Sequence, residues 1–144
     1  MGNLSCSKRH CVVFVFFAAT VVVASAQTFT SLYSFAGPDG ANPYANLAQG
    51  ADGNFYGTTE VGGANCTTNE ACGTVFAITP TGALSTLYSF CQQANCADGA
   101  ASRAALMQTM NGDFYGTTEA NGAHGQGVIL EITPVGTLTT LYSF

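Results

Sequence analysis

Basic residues are scarce in this sequence: Lys and Arg together number three in 144 residues, against eight Asp and Glu. Two of the three, Lys8 and Arg9, stand beside His10 at the head of an apolar run. Beyond that run Arg103 is the only Lys or Arg, set against Asp39, Asp52, Glu60, Glu70, Asp98, Asp113, Glu119 and Glu131, which leaves a net charge of −7. Nucleic acid and anionic membrane surfaces are bound by clustered Lys and Arg, so this deficit excludes both as partners. No lysine follows a Gly-rich segment, so there is no phosphate loop. Histidine is nearly missing too. Beyond the leader only His124 is left, in a Gly-rich loop, which gives no footing for a Ser-His-acid triad.

A long hydrophobic span is also lacking. From Cys11 to Ala24 the chain is almost wholly apolar, but a membrane-crossing helix takes about 20 such residues. The basic start, the short apolar run and the small-x-small sequence Ala24-Ser25-Ala26 predict a signal peptide over 1–26, cut after Ala26 to leave Gln27. No membrane span is expected after that cut. No Leu-x-x-Cys lipid-attachment pattern precedes it. The expectation is export without a lipid anchor, to the extracellular space, the cell surface or the periplasm. Abundant Phe, Tyr, Leu and Val supply a core, so low charge does not signal disorder here.

What the sequence has is internal repetition. Leu-Tyr-Ser-Phe occurs at 32–35, 87–90 and 141–144. GTVFAITPTGALSTLYSF, ending at Phe90, matches GVILEITPVGTLTTLYSF, ending at Phe144. DGANPYANLAQGADGNFYGTTE from Asp39 matches DGAASRAALMQTMNGDFYGTTE from Asp98. Such self-similarity defines the architecture before any local reading. It divides the chain into an N-terminal strand over 28–35, repeat one over 36–90 and repeat two over 91–144.

Each repeat parses into four strands. In repeat one they are Tyr44–Gln49, Phe55–Glu60, Thr74–Thr79 and Ala83–Phe90; in repeat two, Ala104–Gln108, Phe114–Glu119, Val128–Thr133 and Thr137–Phe144. Asp52-Gly53-Asn54 marks a hairpin turn, since Asx and Gly tolerate positive φ. Pro80-Thr81-Gly82 marks the next. Ala100–Met110 is helix-prone by composition, but its repeat partner carries Pro43 and Gly50, which favours strand. Strand four does not alternate cleanly: Leu84, Tyr88 and Phe90 are expected on one side and Leu87 on the other. Both sheet faces are then covered, as in a parallel stack of sheets. The predicted fold is all-β, tandem four-stranded blade-like repeats, β-propeller-like and an incomplete ring in one chain. The alternative is a β-solenoid, whose coils are usually shorter.

NFYGTTE, a Gly-rich loop, GTVFAITPTG and LYSF together resemble the GloVer tandem repeat of bacterial "choice-of-anchor" extracellular proteins. The match covers essentially all the chain beyond the leader. It implies export, repeated modules in an extracellular setting and usually a C-terminal surface anchor; it implies no known activity or ligand. The chain differs from that pattern in having few repeats and no anchor segment before Phe144.

Four cysteines follow the leader, and each lies where the repeats differ in length. Cys66 and Cys72 fall between strands two and three of repeat one, where repeat two has only His124-Gly125-Gln126. Cys91 and Cys96 fall in the connection to repeat two, where repeat one has Ala36-Gly37. In an exported chain an even number reads as disulfides. Three pairings exist, and Cys66–Cys72 with Cys91–Cys96 is preferred because each closes its own insertion. A metal centre with His124 as extra ligand is the rival, but the spacings lack the short gap of zinc sites.

In an up-and-down sheet both insertions emerge on one face, opposite the tight turns. Loops on a rigid scaffold carry binding residues, so a ligand, if the repeat has one, is expected on that face. Glu60 and Glu119 enter that face at equivalent positions, and Asp39 and Asp98 open on it. They could act as acid and base on a glycoside or as calcium ligands. Repetition favours turn-capping and solubility instead, because catalysis needs an asymmetric set. His124 reads as a solvent-exposed side chain. Phe55, Tyr56, Phe114 and Tyr115 could stack on sugars but suit core packing better. Asn65-Cys66-Thr67 fits a glycosylation acceptor, relevant in a eukaryotic pathway only.

The expected function is a secreted structural or binding module with no catalytic residues, no metal and no cofactor, calcium being the one ion weighed. Expected partners are an extracellular glycan or protein, or further copies of itself by sheet stacking. Alternatives are a polysaccharide-active hydrolase using repeat-borne carboxylates, and a fragment of a longer array.

Overall fold

The computed structural model describes residues 27–66 and 71–144; the signal-peptide reading of 1–26 lies outside the described residues. The chain is all-β, with a single short 3-10 turn at Ala94–Cys96 among the described residues. Repeat one holds β1 (Ala48–Gln49), β2 (Phe55–Thr58), β3 (Thr74–Ile78) and β4 (Leu84–Ser89). Repeat two holds β5 (Met107–Gln108), β6 (Phe114–Thr117), β7 (Val128–Ile132) and β8 (Leu138–Ser143). Each set forms one antiparallel sheet in sequence order, and the two sheets do not join into a closed ring.

Strands two to four of each repeat stand where the β-branched and aromatic residues predict them. Strand one does not. Only Ala48–Gln49 and Met107–Gln108 pair as ladder, against the longer spans expected. Upstream, the backbone bonds to the loop after strand two instead: the Glu60 N–H donates to the Asn42 carbonyl, and the Glu119 N–H to that of Ala101. Asn42 and Ala101 sit at positive φ, 55° and 55°, which takes the chain out of the extended region a strand needs. The helix suggested by the composition of Ala100–Met110 does not form.

The segment over 28–35 is a second departure. It adopts no strand, since its repeat equivalent β4 is held by β3 and, among the described residues, no strand lies ahead of repeat one to hold this one. It is nonetheless seated like β4, as described below.

A β-bulge explains the imperfect alternation of strand four. Val75 pairs with Tyr88, but Phe76 pairs with Thr86, so Leu87 is an extra residue; Leu141 is the extra residue in repeat two. A bulge moves every residue beyond it to the other side. Leu84 therefore lies with its partner Ile78, while Tyr88 lies with Val75, and the expectation that Leu84 and Tyr88 share a side is corrected.

The core is the space between the two sheets. Tyr56, Val75 and Phe90 of repeat one pack against Leu106, Phe114, Val128, Leu130 and Ile132 of repeat two. The Tyr56 and Phe114 rings stack with centroids 4.1 Å apart. These aromatics thus serve packing, as their repeated strand positions predict. Burying such rings contributes roughly 1.5–3 kcal/mol each, and among the described residues no equivalent cluster covers the outward side of sheet two.

Candidate functional site

Both insertions meet on one face of the molecule. The disulfides are Cys66–Cys72 and Cys91–Cys96, as the preferred pairing predicts. The sulfurs of Cys66, Cys72 and Cys91 lie within 4.8 Å of one another. Paired as disulfides they are not thiolates, the form that ligates metal. The loops around them are tied by backbone bonds: Ala101 N–H donates to the Cys72 carbonyl and Gly122 N–H to that of Cys96. Asn65 Nδ2 donates to the carbonyls of Ser89 and Phe90 at 2.8 and 3.1 Å. Beside β4 this leaves a shallow polar hollow of about 390 Å³ bordered by Asn65, Tyr88, Ser89 and Gln92.

The repeat-paired aspartates are clasps within that scaffold. Asp98 is fully buried and accepts from Tyr88 Oη at 2.8 Å and from the Gln92 N–H at 3.0 Å. Burial, reinforced by this carboxylate, pushes the Tyr88 phenol well above its ordinary value. Asp39 repeats the arrangement, accepting from Tyr33 Oη at 2.5 Å and the Ala36 N–H at 2.8 Å. Partial burial opposes ionisation of Asp39, but the bonds from Tyr33 and Ala36 outweigh it and lower its pKa. The hydrogen bond to Asp39 raises the Tyr33 phenol in turn. Each carboxylate spends its lone pairs on a tyrosine of the preceding segment and on a turn, which orders the chain entering the repeat.

Glu60 and Glu119 are brought together by a residue that was not foreseen as part of a site. Arg103 donates through Nε to Glu60 Oε1 at 2.9 Å and through Nη1 to Glu119 Oε2 at 2.5 Å, with Nη2 also on Glu60. Its guanidinium lies 5.8 Å from the centre of the Tyr44 ring. Tyr44 holds in repeat one the position of Arg103 in repeat two. The one signal was its uniqueness beyond residue 9: the single Lys or Arg in that stretch, set among eight acids, is drawn to wherever two carboxylates can be shared. Glu60 is largely buried and Glu119 is open, with side chains 10% and 58% exposed. The arginine thus neutralises the more costly of the two charges and links the repeats across their junction.

His124 is exposed on the loop between β6 and β7, and among the described residues it enters none of these contacts. The five sequence candidates therefore divide into two clasps, one shared ion pair and one free loop side chain.

Among the described residues no helix is long and apolar enough to cross a membrane. The family description Gloeobacter/Verrucomicrobia repeat matches residues 15–144, nearly the whole chain, and the chain belongs to that family. No curated protein matches it.

Proposed function

We propose that this member of the Gloeobacter/Verrucomicrobia repeat family is an exported, propeller-like structural or binding module whose ligand face is the disulfide-closed loop face. The observation that carries this reading is the convergence of both insertions, each stapled by its own disulfide, on one side of a rigid two-sheet scaffold. Rigid loops lose little entropy on binding, and disulfides persist in oxidising compartments, which also supports export. A ligand would be an extracellular glycan or protein, met by backbone amides, Asn65, Gln92 and His124 instead of by a charged cluster. Glu60, Glu119, Asp39 and Asp98 support the scaffold, and the module takes no cofactor, calcium included.

Two measurements test this. Immobilised polysaccharides and extracellular-matrix proteins are screened for retention of the oxidised chain, then of a variant with residues 92–95 replaced by Gly and Ser. Retention lost with that loop supports the reading; retention unchanged overturns the choice of face. Equal thermal unfolding in calcium and in a chelator is expected, and a calcium-dependent rise in Tm would contradict the absence of a cofactor.

A second reading, a carbohydrate-active hydrolase, draws on the two glutamates held on one arginine. Release of reducing sugar by the wild type, abolished in Glu60→Gln or Glu119→Gln, would establish it in place of the first.

A further inference from the structure

The three Leu-Tyr-Ser-Phe copies rest on different things. The copy at 87–90 sits on repeat two: Tyr88 binds Asp98, Phe90 is fully buried among Leu130 and its neighbours, and the Leu87 carbonyl lies where a side chain on Gly136 would come within 2.4 Å of it. The copy at 32–35 sits on repeat one by the same contacts. Tyr33 binds Asp39, the Phe35 ring packs edge-on against Phe76 at 5.1 Å, and the Leu32 carbonyl faces Gly82 at 2.6 Å from the place of a Cβ. A seat for this motif thus consists of an aspartate, a turn glycine and an apolar strand residue, and the chain builds two of them.

Among the described residues the third copy has no such seat. Leu141, Tyr142 and Phe144 remain about half exposed at 48%, 57% and 50%, in the same edge-on Tyr-Phe geometry as the seated copies. We infer that this ridge is a docking surface for a second copy of the chain, entering the repeat-one seat that residues 29–35 now fill.

Continuity with the interface inside the chain names the occupant, because the ridge already has its complement in Asp39, Gly82 and Phe76. The present occupant is weakly held. Residues 29–35 lie outside any sheet, Phe29 is 96% exposed, and an apolar groove of about 390 Å³ stays open between the segment and Phe76, Ile78 and Leu84. The incoming ridge is part of a hydrogen-bonded sheet and loses less freedom on docking. It also brings the outward side of sheet two, where Met107, Tyr115 and Ile129 stand in the positions that Ala48, Tyr56 and Val75 use to cover repeat two. One residue opposes contact: Glu131 replaces Ala77 there, accepting from Tyr115 Oη at 2.6 Å. Burying that carboxylate against Phe55 and Ile78 is unfavourable, so association is reversible and concentration-dependent.

The test is the molar mass of the full exported, oxidised chain by light scattering across a concentration series. The wild type is expected to pass from monomer to head-to-tail multiples. Glu131→Ala moves the midpoint to at least tenfold lower concentration. Tyr33→Phe frees the seat and also lowers it, whereas Tyr142→Phe, the same change on the incoming ridge, raises it. Tyr33 and Tyr142 are both exposed, so neither change threatens folding. A strictly monomeric wild type together with a strictly monomeric Glu131→Ala overturns the inference, as do Tyr33→Phe and Tyr142→Phe moving the midpoint the same way.

Discussion

Repeat one and repeat two receive the same four-residue motif with the same three contacts, but one receives it from a strand and the other from an unpaired segment. On repeat two Phe90 is sealed in the core; on repeat one Phe35 is only partly covered and a groove runs beside it. Side-chain complementarity is therefore enough to place the motif, while the ladder from β3 is what makes the placement tight. The difference belongs to the backbone partner, since the motif is identical.

The largest way to break this comparison is to remove the two rings. Phe90→Ala is expected to cost about 3–5 kcal/mol, the range for a buried aromatic, and Phe35→Ala much less, both measured by urea unfolding. Equal losses would mean the unpaired segment is as integral as β4. Next comes the loop face. Replacing either cysteine pair by Ser should cost about 2 kcal/mol, since both close short loops of similar length. The check is unfolding of each variant beside the wild type without reductant. A much larger loss for Cys91–Cys96 would show that the repeat junction, and not its own loop, depends on that bond.

The clasps differ in their pH response. Tyr88 is raised above its model-compound value of 10.0, so its contribution is fully present below pH 10 and is lost as pH rises through the folded value. Tyr88→Phe should flatten the alkaline limb of the stability profile, and Tyr33→Phe should flatten it less. Asp39 is lowered from 3.8. Its contribution is present above that value and fades as pH falls through the folded one, so Asp39→Asn should flatten the acid limb.

The smallest effects lie at the shared arginine. Arg103→Met should lower Tm less than loss of either disulfide, and Glu60→Gln should exceed Glu119→Gln, because the exposed glutamate is screened by water. A larger effect from Glu119 would reverse the burial argument.

Much of this was legible in the sequence. The repeats located strands two to four, and the cysteines announced their partners because each pair is enclosed in its own insertion. Three features were hidden, each for a physical reason. The short β1 and β5 were overestimated because Asn42 and Ala101 take a backbone conformation that composition does not reveal. The sides taken by Leu84 and Tyr88 were misassigned because a bulge at Leu87 changes pairing without changing the sequence pattern. The linkage of Glu60 to Glu119 depends on Arg103, whose position has Tyr44 as its repeat equivalent, so repetition could not point to it.

The glycine seats carry a geometric consequence. Gly136 lies at the turn end of sheet two, yet the carbonyl resting on it comes from Leu87, in the far half of β4. Gly82 receives Leu32 in the same offset. The two contacts thus share one offset step between a motif carbonyl and the turn of the repeat it rests on. With no side chain between carbonyl and glycine, that step is fixed by bare backbone contact, and a single methyl group at Gly136 would have to alter it.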